Sequence, residues 1–459
     1  MLVIGTVLAI VALVVLIARF KLNAFIALML ASLFVGLCSS MPPLRVAKAF
    51  QEGVGNTLGF IAVVVGLGTM LGKMLSESGG AEVIANTFVR AFGTERLHWA
   101  LMIVGFVVGL PVFFGVGLVL LMPILAALVR DTKQPLLALG IPLVAGLSVS
   151  HGLVPPHPGP MLGIERLGAD VGKTILYGVL IGIPTAIVAG PIFGKFISQR
   201  VPAELGGLGA ALVQKRERAL CPSFSVTLGT ILLPVAFMFV ATIAHLTLTE
   251  PLALKWSIHG FFILNVKDLR TWFDFIGSPA IAMLLATLLS LYTFGFRCGF
   301  TRAEILKFTD ECVGPAAGII LIVGAGGGFS KVLDESGAGA VLAEAAKNLH
   351  ISVLLLGWLI AAAIRVAVGS ATVAIALAAS LALPMADASP QTNRELLVIS
   401  LGAGSLILSH LNDGGFWFVK EYFGMNVPQT LKSWTVMETI ISLVALALVL
   451  ALDFALRAF

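Results

Sequence analysis

Long apolar segments dominate this sequence and restrict what the chain can fold into. Several runs reach about 20 residues with few charges, the length a helix needs to cross the roughly 30 Å hydrocarbon core of a bilayer. The composition agrees, because 58% of the 459 residues are hydrophobic and 12% are charged, against about 25% charged in soluble domains. Helices satisfy their own backbone hydrogen bonds in lipid. The pattern therefore predicts an all-α polytopic membrane protein in a lipid bilayer.

Other features argue against several classes of protein. The first segment, residues 1–20, has no basic stretch before its apolar run, so we interpret it as a retained span rather than a signal peptide. The net charge of +5 comes without a basic patch interleaved with aromatic residues, which argues against a nucleic-acid partner. The four cysteines are scattered singly, without the spacing of a metal site or a disulfide framework. We expect no metal and no cofactor.

Two segments of the chain resemble each other closely. GLGTMLGKMLSESGGAEVIA at 66–85 and GAGGGFSKVLDESGAGAVLA at 324–343 share nine of twenty positions at an offset of 258. Chance explains shared Gly and Ala, but not a shared Lys followed by a shared Glu-Ser-Gly. The pairs Lys73/Glu77 and Lys331/Glu335 have the i,i+4 spacing of helical ion pairs. We interpret the chain as two copies of one unit.

The repeat and the loop charges define the predicted domains and their direction. The first repeat covers 1–197, a cytoplasmic linker rich in Lys and Arg covers 198–222, and the second repeat covers 223–459. Basic loops favour the cytoplasm, which makes equivalent spans of the two halves run in opposite directions. Each half is predicted to hold about five transmembrane helices, one re-entrant hairpin and broken helices. Inverted repeats of this kind are typical of secondary transporters.

Four interruptions in the apolar segments are predicted to converge on one cavity. Two are hairpin tips, LPVFFGVG at 110–117 and RVAVGSATV at 365–373. The other two are breaks that follow a span, SHGLVPPHPGP at 150–160 and SHLNDGGF at 409–416. Non-helical backbone at membrane depth is tolerated only where it is buried in protein or lines a cavity. We therefore expect the binding site at these four places.

Helix ends inside a membrane are suited to bind an anion. Free N–H groups and the positive end of the helix dipole attract a carboxylate. In the second tip, Ser370 and Thr372 add hydroxyl donors, and Arg365 adds a cation that can hold two carboxylate oxygens at once. The matched glycines Gly115 and Gly369, one at each tip, are further candidates for substrate binding. An arginine paired with a neighbouring helix is the structural alternative for Arg365.

The two breaks supply the remaining candidates. Ser150-His151 and Ser409-His410 occupy matching positions, and imidazoles titrate near neutral pH. We therefore list Ser150, His151 and His410 for substrate binding, and both histidines for proton coupling. Asn412 is a further candidate for binding substrate hydroxyls, and Asp413 is the main candidate for carrying a proton. The alternative for His151, His410 and Asp413 is that they only cap helix ends.

These motifs also carry a family resemblance. GTMLGKMLSESGG, SHGLVPPHPGP, GSATVA at 369–374 and SHLNDGGFWFVKEYFG at 409–424 resemble the signatures of the gluconate permease family, the gluconate:proton symporters, over nearly the whole chain. The resemblance implies proton-coupled uptake of gluconate or a related anionic sugar acid across a bacterial inner membrane. The family is placed in the ion-transporter superfamily, whose dicarboxylate carriers are dimers, so a homodimer is implied here.

One position departs from the family pattern. Many members have an acidic residue in the first tip, as FFEVG or FYEVG, where this chain has Gly115. If that acid carries a proton in relatives, its absence puts the coupling route or the usual substrate in question.

Other functions remain open at this point. Broken helices also supply carbonyl oxygens for Na⁺, so a sodium-coupled carboxylate carrier is one alternative. Some similar family members carry D-serine, which gives a second. An intramembrane enzyme with His151, His157 and His410 as metal ligands or bases is a third, but the sequence has no HExxH motif and the polar residues are duplicated between halves. A channel would be distinguished only by flux kinetics.

Overall fold

The architecture is given by a computed structural model of the chain. It describes residues 8–9, 12–13, 15–16, 19–20, 22–206, 222–247, 256–258, 262–264, 266–311, 313–337, 352–411 and 413–458. Most of the predicted first span and much of the predicted linker lie outside the described residues.

The described residues are mostly helical, in agreement with the predicted fold class. In chain order the helices are α1 (Ala24–Cys38), α2 (Pro43–Glu77), α3 (Gly80–Phe92), α4 (Leu97–Gly109), α5 (Phe114–Thr132), α6 (Leu136–Leu153), α7 (Pro158–Leu167), α8 (Val171–Ser198), α9 (Phe224–Thr247), α10 (Val266–Gly277), α11 (Pro279–Cys298), α12 (Arg302–Asp310), α13 (Val313–Glu335), α14 (Val353–Val368), α15 (Ala371–Asp387), α16 (Arg394–Leu406), α17 (Gly414–Tyr422) and α18 (Val427–Ala458). A small antiparallel hairpin joins β1 (Trp256–Ile258) to β2 (Phe262–Leu264), with Trp256 opposite Leu264.

The apolar helices are long enough for a multi-pass membrane protein. Within the described ranges, six helical segments have the length and composition to cross a bilayer, and two bent helix pairs raise the number to eight. One bent pair joins α3 to α4 at 113°, and the other lies within α5. Three helices contain a π-helical turn, which in α18 covers Leu431–Thr435. The prediction of a polytopic helical protein is confirmed.

The repeated motif ends a helix in the same way in both halves. Helix α2 ends at Glu77 and is followed by Gly79 with φ of 77°, and α13 ends at Glu335 and is followed by Gly337 with φ of 73°. Such left-handed glycines stop helices because they carry no Cβ. The inverted relation of the two halves stays a prediction.

Both predicted i,i+4 ion pairs are present. Lys73 Nζ lies 3.1 Å from Glu77, and Lys331 Nζ lies 3.4 Å from Glu335. Each pair also has a partner on another element, because Lys73 contacts Glu311 at 2.9 Å and Glu335 pairs with Arg45 of α2. These charges hold helix ends together rather than line the cavity described below.

Close backbone contact packs α2 against α13. A Cβ added to Gly53 would come within 2.3 Å of the Gly327 carbonyl oxygen, so the two helices approach to a distance that only glycine allows. Membrane helices associate through such small residues because lipid gives no hydrophobic driving force. Helix α13 also packs against α15 of the second predicted hairpin. The contact therefore connects the first repeat with the second tip.

All four predicted interruptions exist, with shifted boundaries. The tips are the non-helical links 110–113 and 369–370, and the breaks are 154–157 and the described residues 407–411 and 413. The first break begins later than expected, because α6 continues through Ser150 and His151 to Leu153. The second begins earlier, because α16 ends at Leu406. Proline at 158 then starts α7, where its missing N–H costs nothing.

Candidate functional site

A cavity of about 440 Å³ lies where three of the four interruptions meet. Both hairpin tips and the second break line it, together with parts of α6 and α18. The lining residues are Phe113, Phe114, Gly115, Ser148, His151, Arg365, Val368, Gly369, Ser370, Ala371, Thr372, Val373, Leu406, Asp413, Gly414, Gly415, Phe418, Trp434 and Glu438. The non-helical residues 154–157 of the first break are not among them. Pro156 and His157 line a much smaller neighbouring cavity instead.

The second tip presents the start of a helix to the cavity. Gly369 ends α14 with φ of 79°, a left-handed conformation that favours glycine. Ser370 is the N-cap of α15, and its Oγ accepts from the Val373 N–H at 3.4 Å. The residues from Ser370 to Val373 all line the cavity. The first turn of a 17-residue helix is thus turned toward the space that a ligand would fill.

Arg365 provides the fixed cation of the cavity wall. It lies in the last turn of α14 and is only 4% exposed. One terminal nitrogen donates to the Gly369 carbonyl oxygen, and the other pairs with Asp413 Oδ2. The remaining Nε is buried and has no hydrogen-bond partner among the described residues. Arg365 therefore has one internal anion and one open donor.

Asp413 uses its two oxygens for different purposes. Oδ1 accepts from the Gly415 N–H at 2.9 Å and caps α17. Oδ2 accepts from Arg365 and from the Ser409 hydroxyl. Trp434 of α18 donates to Ser409 Oγ at 2.7 Å, which holds the broken segment against that helix. Asp413 is thus a helix cap and an ion-pair partner in one side chain.

The first half contributes aromatic and imidazole groups. His151 lies on α6 with its ring centroid 4.6 Å from that of His157, and its buried Nδ1 has no partner within the described chain. Phe113 of the first tip packs beside both histidine rings. His157 Nε2 contacts the Gly109 carbonyl oxygen, which agrees with a structural role for this residue.

The structure brings seven of the predicted residues to one cavity. These are Gly115, His151, Arg365, Gly369, Ser370, Thr372 and Asp413. Ser150 lies elsewhere, because its hydroxyl donates to carbonyl oxygens of its own helix, Gly146 at 3.1 Å and Leu147 at 3.0 Å. His410 also lies outside the lining, with Nε2 3.2 Å from the Val366 carbonyl oxygen. Asn412 falls outside the described residues.

Sequence reasoning missed two polar residues of the lining. Ser148 occupies the place expected for Ser150, and Glu438 of α18 is 1% exposed. A signal for Glu438 was available, since it is an isolated acid in a long apolar span and intramembrane acids are usually functional. It was overlooked because the last span carries no interruption in its sequence pattern.

No group of three metal-ligating side chains occurs in the part of the chain that the structure describes. Cys38 and Cys298 are not joined in a disulfide within the described residues, and the other two cysteines lie outside the described ranges.

Comparison with known proteins identifies the family. The sequence profile of the GntP family permeases matches residues 1–455. This chain belongs to the GntP permease family. It is therefore a multi-pass membrane transporter and not an enzyme.

Individual relatives of this GntP permease differ in their named substrates. A gluconate permease of Pseudomonas aeruginosa is 49% identical over 451 residues, covering 97% of this chain and 96% of that protein. A gluconate permease of Zymomonas mobilis is 44% identical over 448 residues, covering 97% and 96%. The D-serine transporter DsdX of Escherichia coli is 38% identical over 451 residues and 97% of both chains.

Two solved transporters share the fold at low sequence identity. The YdaH transporter of Alcanivorax borkumensis superposes with a TM-score of 0.61 at 17% identity, covering 90% of this chain and 89% of that one. MtrF of Neisseria gonorrhoeae superposes with a TM-score of 0.63 at 14% identity, covering 95% and 96%. These likenesses support the transporter fold alone.

Proposed function

We propose that this GntP permease imports gluconate or a related sugar acid by proton symport with alternating access. The observation that carries the proposal is the ion pair between buried Arg365 and partly buried Asp413 on the cavity wall. A buried cation held by an internal carboxylate can exchange that carboxylate for one from a substrate. The names of several relatives support gluconate as the substrate.

The exchange links anion binding to a proton. In the described state Asp413 balances the charge of Arg365. A substrate carboxylate at Arg365 brings a second negative charge to one cation, and an uncompensated buried charge costs several kcal/mol. Protonation of Asp413 removes that excess charge. The substrate anion and one proton therefore enter the cavity together.

The second tip supplies the neutral contacts. The first turn of α15 presents backbone N–H groups, and Ser370 and Thr372 present hydroxyls to the same space. Helix N-termini favour carboxylates, while hydroxyls can both donate to and accept from the hydroxyls of a sugar acid. The cavity volume of about 440 Å³ lies in the usual range for small-molecule sites, roughly 300 to 1,000 Å³.

Transport by purified protein in liposomes tests this function. We expect an acid-outside pH gradient to drive accumulation of labelled gluconate, with gluconate competing more strongly than D-serine. A sodium gradient at constant pH serves as the parallel condition. Accumulation driven by sodium alone would contradict proton symport, and accumulation of D-serine in place of gluconate would contradict the substrate.

Alternating access rests on the inverted arrangement of the two repeats. A cysteine at exposed Gln199, in the predicted cytoplasmic linker, should react with a membrane-impermeant maleimide only after cells are opened. A cysteine at Asp274, on the predicted outer side, is the matched control and should react in intact cells. Native cysteines are replaced first. Labelling of Gln199→Cys in intact cells would contradict the predicted topology.

We also propose that the transporter works as a homodimer in a bacterial inner membrane, as the family resemblance implies. Light scattering of the protein in detergent, corrected for bound detergent, measures the protein mass directly. A mass close to the 48.0 kDa of one chain would contradict the dimer.

A further inference from the structure

Glu438 is the one acid of the cavity lining, as the structure describes it, that has no assigned ion pair. It lies on α18 immediately after the π-helical turn and is almost completely buried. Both carboxyl oxygens are buried and neither has a hydrogen-bond partner within the described residues, although Ser148 of α6 lies beside it. The side chain borders the same cavity as Arg365 and Asp413.

The charged and titratable groups facing Glu438 do not balance a second anion. Arg365 of α14 is already paired with Asp413, which precedes α17. His151 of α6 shares the lining and packs against another imidazole in a buried site, so it is no ready counter-charge. An isolated buried carboxylate is so costly that such a group takes up a proton instead. The surroundings therefore favour the uncharged acid.

We propose that Glu438 is a substrate-binding residue that acts as a neutral carboxylic acid and holds a hydroxyl group of the substrate. The protonated acid has one O–H donor and an acceptor carbonyl oxygen. A hydroxyl has the same combination, so one side chain can both donate to and accept from it. The identity of the ligand as a polyhydroxy acid rests on the proposed function.

This assignment separates two acids that share one cavity. Asp413 takes up a proton when the substrate carboxylate replaces it as the partner of Arg365. Glu438 keeps its proton before and after binding and contacts the hydroxylated part of the substrate. Arg365 recognises the carboxylate, which almost any organic acid carries. Glu438 therefore helps to distinguish a hydroxylated acid from a plain fatty acid of similar length.

Infrared difference spectroscopy of the full-length protein in lipid tests the protonation state. At neutral pH, where an exposed glutamate is ionised, substrate-free wild type should show a carboxylic-acid C=O band that Glu438→Gln removes. Gluconate should shift this band. It should also create a second acid band that is absent from Asp413→Asn. Absence of a Glu438 band from the substrate-free protein would overturn the proposal.

Binding measurements test the contact with matched variants. Glu438→Met keeps the approximate size without polar atoms and should weaken gluconate binding about tenfold, since a neutral hydrogen bond contributes roughly 0.5 to 1.5 kcal/mol. Glu438→Gln restores a donor and an acceptor and should weaken it less than about threefold. Hexanoate, which has the carboxylate and no hydroxyls, is the control ligand. Its affinity should change equally little in both variants.

Two further results would overturn the proposal. One is a Glu438→Met protein that still prefers gluconate over hexanoate as strongly as wild type. The other is a Glu438→Gln protein that exchanges gluconate but no longer accumulates it, because Glu438 would then carry the coupled proton itself. The substrate-free band is independent of the proposed substrate. If wild type binds D-serine and not gluconate, the same band is followed with D-serine, whose single hydroxyl should shift it.

Discussion

The two halves of the molecule contribute differently to the cavity. The second half supplies Arg365 and the two acids Asp413 and Glu438, whereas the first half supplies glycine, aromatic rings, a serine and His151. Away from the cavity the repeated motif is alike in both halves, with a lysine–glutamate pair and a left-handed glycine at the end of its helix. The two halves are therefore alike where this motif ends a helix and unlike at the cavity.

The proposed substrate offers a physical reason for this difference. A sugar acid is itself asymmetric, with a charged carboxylate at one end and hydroxyls along the rest. A site with equal charges from both halves would place a second cation or carboxylate beside the uncharged part, and buried unpaired charges are costly. We infer that the first half shapes the cavity and the second half recognises charge. The following predictions test this division, from the largest expected effect to the smallest.

Replacement of Asp413 should have the largest effect. Asp413→Asn can still accept from the Gly415 N–H, so the cap of α17 is retained, but the side chain cannot take up a proton. We expect proton-driven accumulation of gluconate to be lost, while exchange between equal pools continues. Wild-type affinity should rise as pH falls, because binding takes up a proton, and this dependence should disappear in the variant.

Uptake and exchange measured on one preparation provide the check on Asp413. If Asp413→Asn accumulates gluconate normally, Asp413 does not carry the coupled proton. His151 is then the next candidate for that role.

Replacement of Arg365 by lysine keeps the positive charge but should weaken gluconate binding. In Arg365→Lys an ammonium cannot reproduce the planar fork that bonds both the Gly369 carbonyl and a carboxylate. A charge-assisted hydrogen bond contributes about 1.5 to 3 kcal/mol, so we expect roughly a tenfold or greater loss of gluconate affinity. Equilibrium binding by calorimetry measures it. An unchanged affinity in a folded Arg365→Lys protein would assign Arg365 a structural role.

Replacement of His151, on the part of the cavity wall that the first half supplies, should have a smaller effect on gluconate affinity. His151→Gln keeps a donor and an acceptor but loses the ring that packs against His157. One neutral hydrogen bond contributes about 0.5 to 1.5 kcal/mol, which corresponds to roughly a two- to tenfold weaker affinity. Accumulation should continue at a reduced level. If His151→Gln abolished accumulation and spared exchange, the first half would take part in coupling.

Replacement of Gly115 should have the smallest effect. A Cβ there would lie 3.1 Å from the Phe418 ring, which is partly exposed and can move. We expect Gly115→Ala to lower gluconate affinity less than about fivefold, in the range of about 1 kcal/mol for mild overpacking. Competition against labelled gluconate gives the affinity. A larger loss would show that the first tip contacts the substrate closely.

Much of this arrangement could be predicted from the sequence because helix interruptions have strong local causes. Glycine at 369 and proline at 158 define where helices end and begin, and the two tips and the second break meet at the cavity, whereas the first break lies beside it. Arg365 and Asp413 stood out because charges are rare in apolar segments. The sequence offered pairing of Arg365 with a neighbouring helix only as an alternative, without Asp413 as the partner, since pairing depends on the tertiary positions of α14 and α17.

The errors come from rotation around helices, which a motif does not show. The serine–histidine dipeptides at 150 and 409 match in sequence, but the first is helical and the second is not. Within α6, Ser148 faces the cavity and Ser150 does not, because two residues differ by about 200° around a helix. His410 follows an early helix end and contacts the α14 backbone instead. Equal motifs therefore gave unequal side-chain positions.

The π-helical turn of α18 has a geometric consequence for the residues that follow it. Such a turn holds an extra residue relative to an α-helical turn, and each residue accounts for about 100° of rotation. Thr435, at the end of this turn, donates to the Ser409 carbonyl oxygen of the second break. Removal of one residue from this turn would rotate the rest of α18 by about 100° around its axis. Glu438 would then move away from the cavity. The rotation of α18 around its axis is thus set at Thr435, which is hydrogen-bonded to the broken segment that contains Asp413.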